Sequence, residues 1–348
     1  MKKTVLLLAT AMLLTSIDAV AQNKIDNQGR RQGHWIRTDK DGSLIFEGDF
    51  RDGLETGTFT YYYHDGTVRM RNTYIVDGTV CNHEAYDEQG HLLARGRYNR
   101  HNRDGHWTFY NEAGRVVKEA DYNMGVKDGT HIVFGANNDT AEVTTWHNNR
   151  RHGRWWKRIG TNGYITGTYQ EGGLQGTLLE YDDNGQLVRE GKYSNGLKHG
   201  ANRYFEDGTL VVDERWNNGI LLDRRVLLLT PDTQYISLLD IALLAPQGKH
   251  RVLVILKDGT KLTSQQSADE LYPRLGNDFL SLANRKSRIL VATASIQGLS
   301  EEADGRTILL LDPQPDFTIF PDEDGIKMFR SLQYQQDSPL DKLHNNDR

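Results

Sequence analysis

Apolar and polar residues alternate in short runs along the first two thirds of this chain. A representative stretch is Thr177-Leu178-Leu179-Glu180-Tyr181, then Asp182-Asp183-Asn184-Gly185, then Gln186-Leu187-Val188-Arg189-Glu190-Gly191-Lys192-Tyr193. Two alternating runs flank an Asn-Gly turn, which predicts a β-hairpin. Ser194 to Gly200 then turns the chain into the next unit. No apolar stripe at helical spacing lasts long enough to predict a helix here. Beyond residue 222 the apolar runs lengthen. Tyr235 to Ala245 and Arg251 to Thr260 read as strands, with Leu238 to Ala245 buried and Asp258-Gly259 as a turn. Ser267 to Leu275 is the one predicted helix, with Ala268, Leu271 and Leu275 on one face and Pro273 weakening it. Further strands fall at Phe279 to Leu282, Ile289 to Val291, Ile296 and Arg306 to Leu311, and Phe329 to Leu332 reads as a short helical end.

The hairpins repeat. Phe50, Tyr74, Tyr98, Tyr122, Trp146, Tyr169, Tyr193 and Trp216 recur at spacings of 23 or 24 residues. A second column holds Gly33, Gly57, Asn82, Gly105, Gly129, Gly153, Gly176 and Gly200. A third holds Gly42, Gly66, Gly90, Gly114, Asp139, Gly163, Gly185 and Gly208. Asn82 and Asp139 stand where glycine is missing, and both residue types tolerate positive φ. One two-stranded unit is marginal alone, so stability is expected as a sum of neighbour terms between stacked units.

The segments Glu190-Gly191-Lys192-Tyr193-Ser194-Asn195-Gly196-Leu197-Lys198-His199-Gly200, Glu47-Gly48-Asp49-Phe50-Arg51-Asp52-Gly53 and Arg95-Gly96-Arg97-Tyr98 resemble the core of the MORN repeat, in its bacterial variant form. The resemblance spans about 29–220. It implies a mainly β fold: an elongated antiparallel β-meander of about eight stacked hairpins. It also implies an interaction or scaffold role, with an antitoxin label on some bacterial members. The unit around Ala136 to Thr145 is the most divergent.

Composition places the seams. Of 34 glycines, 28 lie in 22–222, as do all six tryptophans, whereas all seven prolines lie beyond it. Hydrophobic residues are only 37%, below the roughly 45–50% usual for globular chains, which argues against one large core. At the start, Lys2-Lys3, the apolar run Val5 to Leu14 and Ala19-Val20-Ala21 form a signal peptide with its cut expected between Ala21 and Gln22. The expected organisation is therefore signal peptide 1–21, hairpin repeats 22–222, a smaller mostly-β domain with one or two short helices over 223–334, and a disordered tail 335–348. The expected location is periplasmic or secreted, with no transmembrane span.

Candidate chemistry is sparse. A lone Cys81 and a net charge of −5 exclude a disulfide framework and any strong electrostatic call for nucleic acid. His34, His106, His152 and His199 sit at or beside repeat glycines. At one hairpin per step, near 10 Å, neighbouring units cannot share an ion, so these read as turn histidines bonded to backbone. Asp39 to Gly42 and Asp322 to Gly325 read as turns rather than calcium loops. No catalytic constellation, cofactor or metal is expected, and the chain reads as a non-enzyme. The sharpest binding candidate is Arg151, Arg154, Trp155 and Trp156, which either engage an anion or ring or simply pack. Consecutive strand residues face opposite ways, so the two tryptophans are expected on different faces.

Residues 230–334 resemble a LytTR-type DNA-binding domain, through the Asp240-Ile241 strand, the Asp258-Gly259 turn, Ser267, Glu270, Leu271 and Leu275, Phe279 and Leu290-Val291. The resemblance implies basic contacts, for which Arg285, Lys286 and Arg288 are the candidates. Ala292 stands where that family has Asn, and 223–348 is net acidic. The leading expectation is an exported interaction or scaffold protein binding a protein or envelope component, with nucleic acid not the expected partner and edge-to-edge homo-oligomers left open. The alternative is a LytTR-like regulator with the repeats as sensor.

Overall fold

The computed structural model describes residues 22–284 and 287–336. The expected signal peptide, Arg285, Lys286 and residues 337–348 of the expected tail lie outside the described residues. The chain divides into two bodies, one ending at Arg151 and the other beginning at His152.

In the first body, the strands from Arg31–Thr38 to Thr140–His147 follow one another in chain order, each antiparallel to the next. In the second, residues 152–159 and the strands from Gly163–Gln170 to Gln234–Ser237 are likewise each antiparallel to the next. This is the expected antiparallel meander of hairpins.

A fourth column explains why a single layer holds together. Trp35, Phe59, His83, Trp107, His131, Trp155, Leu178, Asn202 and Val226 recur every 23 or 24 residues. Small residues alternate with them across the strands. Trp35 faces Gly48, Phe59 and His83 both face Asn72, His83 also faces Gly96, and Trp107 and His131 both face Ala120. The glycines here serve close approach. A Cβ at Gly48 would lie 2.6 Å from the Phe59 ring, and one at Gly96 would lie 2.3 Å from the Trp107 ring. The rings of Phe59 and Trp107 are consequently almost fully buried although the sheet has one layer. The aromatic column packs edge-on beside them, with Phe50 at 5.0 Å from Phe59 and Tyr98 at 4.9 Å from Trp107.

Two expectations about turn residues need correction. Asn138, not Asp139, carries the positive φ, 62°, because its position is in phase with Gly114. Asn82 does not replace a glycine: it lies in a regular strand, paired with Thr73 and Arg97. Gly105 marks the bulge in its own strand, with φ 71° and a register shift opposite Arg95 and Arg97, whereas the shifts of the Asn82 strand fall opposite Tyr74 and Val76 and between Ala85 and Tyr86, not at Asn82.

The N-terminal edge is closed by a short return. Lys24–Ile25 pairs with Gln32 and Arg31. One residue earlier, Asn23 gives its N–H to the His34 carbonyl, and its side-chain amide both donates to the Ile36 carbonyl and accepts from the Ile36 N–H.

In the second body a five-stranded antiparallel sheet follows the repeats, with a separate hairpin of Ile296–Glu301 and Thr307–Leu311. Its core merges with the last repeat strands: Val211, Val212, Val226 and Leu228 pack with Leu238, Ile241, Leu244, Leu271 and Leu275. The strand expected over Leu238 to Ala245 begins only at Ile241, after a 3-10 turn Leu238–Asp240 capped by Ser237. The expected helix is Ala268–Leu271 with a Ser267/Glu270 capping box, and Pro273 converts its continuation to a 3-10 turn. The C-terminal helix, Glu323–Gln336, is longer than the expected Phe329 to Leu332. Asp322, read as part of a turn, accepts from the Gly325 N–H and opens that helix.

Candidate functional site

The meander of the first body has two unlike faces. One carries the packed rings; the other is polar. The polar face is concave between Val68–Val76 and Asn102–Tyr110, where a cleft of about 630 Å³ is lined by Arg71, Thr73, Asn82, Glu84, Arg95, Arg97, Asp104, His106 and Thr108. Cross-strand register places these side chains together: Arg71 faces Glu84, Glu84 faces Arg95, Asn82 faces Arg97, and Arg95 faces Thr108.

One column distinguishes this stretch. The position before each small residue holds Glu47, Arg71, Arg95, Glu119, Val143, Thr166, Glu190 and Asp213. Only the two units at the cleft place a cation there. Neither guanidinium turns onto Glu84, which lies between them in register. Arg71 lies over the Tyr86 ring at 5.6 Å and Arg95 over the Tyr110 ring at 5.7 Å. Glu84 instead accepts from the Tyr86 hydroxyl at 2.8 Å, and burial together with that carboxylate pushes the Tyr86 phenol upward. A guanidinium carries five N–H donors, so one resting against a ring still has donors for an incoming acceptor. Arg97, by contrast, is engaged by Asp104 at 2.6 Å. A second hollow of about 290 Å³ lies beside Arg71 and Tyr86, bounded by Thr67, Val68 and Gly90.

On the packed face, His83 donates from Nδ1 to the Asn72 side-chain oxygen at 2.7 Å. Burial, aided by the Arg103 charge, lowers its pKa to about 4, so it is neutral at pH 7. Burial lowers His131 in the same way. The surface histidines use neighbouring side chains rather than the expected backbone groups: His34 pairs with Asp49 at 3.1 Å and His106 with Asp121 at 2.9 Å on adjacent strands, and His199 with Asn218 of an adjacent turn at 3.2 Å. A strand histidine faces a neighbouring side chain, whereas a turn histidine would face backbone. Among the described residues no group of three or more His, Cys, Asp and Glu is placed to hold a metal ion.

The residues singled out in sequence are dispersed. Arg151, in the first body, lies 5.9 Å over Trp146. In the second, Arg154 is exposed. Trp155 belongs to the packed face, edge-on to Tyr169 at 5.8 Å, whereas Trp156 lies on the opposite face, stacked with Tyr164 at 6.1 Å. Arg288 is exposed, and its Nη1 lies 3.5 Å from the Ser281 hydroxyl. The Arg71 and Arg95 cleft was missed by sequence reading. The signal for it was the sign of charge along one column, which becomes visible only once strand register is known.

The MORN repeat variant family matches residues 174–195, one hairpin of the meander. No curated protein matches the chain. The repeat and the meander fit a protein-binding scaffold. Among the described residues no helix is long and apolar enough to cross a membrane, which says nothing of strands.

Proposed function

We propose that this chain is a non-enzymatic, exported binding protein that docks a protein or envelope component on the polar face of its first body. The observation that carries this reading is the contrast between the faces. One face is closed by its own rings, while the other offers a concave, charged surface on a frame of paired strands. Such a surface recognises a partner by charge and shape. The C-terminal part then acts as a cap, since its leucines share a core with the last repeat strands and cover what would be an open end. Cleavage after Ala21 would keep the hydrogen bonds that Asn23 makes to His34 and Ile36.

Two measurements test the reading. Sequencing of the mature N-terminus in fractionated cells is expected to begin at Gln22 in an envelope fraction; a cytoplasmic chain beginning at Met1 refutes export. Cross-linking in intact cells is expected to trap a partner through the parent protein and to lose it in the double variant Thr73→Tyr, Asn82→Tyr, which fills the cleft without adding charge. Equal trapping by both proteins removes the polar face from the proposal.

A further inference from the structure

We infer that the cleft at Arg71 and Arg95 recognises an acidic peptide in the polyproline II conformation, with a carboxylate at every third residue. This rests on the docking face proposed above and names the chemistry of its partner. Three observations carry it.

The first is spacing. Arg71 and Arg95 occupy the same position of consecutive repeat units, with the Glu84 strand between them. Two strand steps separate them by about 9.6 Å across the sheet. A polyproline II chain has three residues per turn and rises about 3.1 Å per residue, so its i and i+3 side chains share a face about 9.3 Å apart. An extended β peptide presents one face every two residues, about 6.8 Å, and does not match.

The second is charge. Each guanidinium is held over a tyrosine ring and makes no ion pair within 4.0 Å among the described residues. Glu84 occupies the middle of the row and repels a third carboxylate there. A peptide with uncharged residues between its acids satisfies all three positions, whereas a run of contiguous acids does not.

The third is the aromatic surface beside the cations. Tyr62, Tyr86 and Tyr110 recur every 24 residues at the ends of alternate strands, and a hollow lined by Thr67, Val68, Arg71, Tyr86 and Gly90 adjoins the middle one. Aromatic ridges separated by hollows are the surface on which proline rings seat, and the pre-extended chain loses little entropy on binding.

The test uses the full chain and fluorescence anisotropy with a labelled peptide of four Glu-Pro-Pro triplets. Comparison peptides carry four glutamates in Glu-Pro alternation, or Gln-Pro-Pro triplets. The acidic triplet peptide is expected to bind, with the alternating peptide and the glutamine peptide each weaker by about tenfold or more. Arg71→Gln and Arg95→Gln are each expected to weaken binding by about tenfold, and Arg71→Lys to recover part of the loss by charge alone. Both arginines are exposed, and a thermal melt confirms that each variant is folded; Arg71→Lys provides the readout should a glutamine variant fail to fold. Equal affinity for the two acidic spacings, unchanged affinity in the double glutamine variant, or no binding at millimolar peptide overturns the inference. Trapping of a partner that the Thr73→Tyr, Asn82→Tyr variant loses, but the triplet peptide does not displace, overturns the ligand class and leaves the docking face standing.

Discussion

The repeats of the first body and the C-terminal part of the second solve the same problem with different materials. In the first body, the fully covered side chains are few and large: Phe59, Trp107, and beside them Phe50, Tyr122 and Ala120. Each is covered by a partner from a neighbouring strand, and the small residue opposite makes room for it. In the C-terminal part the covered residues are aliphatic and drawn from distant positions, with Leu243, Ile255, Leu280, Leu282, Ile289 and Val291 meeting Leu309, Leu311, Ile319 and Phe329. A periodic chain buries area by repeating one local contact. An aperiodic chain buries it by bringing remote segments together. Failure should therefore be local in the one and collective in the other.

The sharpest way to break this comparison is a matched pair of cavities. Trp107→Ala is expected to cost about 4 kcal/mol and Leu244→Ala about 3 kcal/mol. Hydrogen exchange should show protection lost around Leu92–Asn99 and Val116–Asn123 in the first variant, and across the whole five-stranded sheet in the second. Collective loss in both would mean that the repeats fold as one block. Gly96→Ala probes the same contact from the other side, and its Cβ should cost about 1–3 kcal/mol by crowding the Trp107 indole.

Next in size is the junction between the two kinds of core. Glu214 occupies the column position that holds Gly48 or Gly96 earlier, and its side chain is fully buried. Arg224 and Lys198 pair with it, and the Trp216 indole and the Tyr204 hydroxyl donate to it. Burial works to raise its pKa, but the hydrogen bonds from Arg224 and Trp216 and the two cations hold it below the usual glutamate range. Glu214→Gln leaves Arg224 without its counter-charge and should cost about 3 kcal/mol, seen as a lower denaturant midpoint. Because the folded carboxyl is depressed, its contribution is present above the unfolded pKa and lost as pH falls through the folded value.

Acid separates the two regions with a smaller effect. His83 is neutral in the fold, its pKa lowered by burial to about 4 from the ordinary histidine value of 6.5. Protonation favours the unfolded chain, so stability falls as pH drops through this interval, by about 2 kcal/mol at pH 5. The loss should appear in the strands around Val80–Tyr86 and not in the C-terminal sheet. The double variant Asn72→Gly, His83→Phe recreates the Gly48 and Phe59 pair and is expected to flatten the pH profile. Retained acid sensitivity would assign the effect elsewhere.

The smallest effect is expected at Arg288, in the strand Ser287–Ala292. The full chain should show only weak, salt-sensitive anisotropy with duplex DNA, and Arg288→Ala should leave it unchanged, because few cations face a net acidic region. Sub-micromolar, sequence-selective binding would favour the regulator reading.

The hairpins were legible because turn chemistry repeats in kind: Gly42, Gly66, Gly90 and Gly114 carry one conformational need. The ring column was not, because Trp35, Phe59, His83, Leu178 and Asn202 share size and position but no single chemistry. Asn82 was misplaced for a related reason. A 24-residue period puts Cys81, not Asn82, in phase with Gly57 and Gly105, and only strand register shows that this unit dispenses with the bulge. The cleft required still more. Arg71 and Arg95 look like ordinary strand arginines until Glu84 is known to lie between them.

Asn23 makes the array modular. Its side-chain amide bonds both backbone groups of Ile36, as a peptide unit of a paired strand would, so one residue extends the ladder past Lys24–Ile25. Whole hairpins could then be gained or lost behind it without rebuilding the terminus, and array length becomes a quantity that duplication can tune. At the opposite end no such freedom exists, since a leucine-lined core fixes which strand comes last.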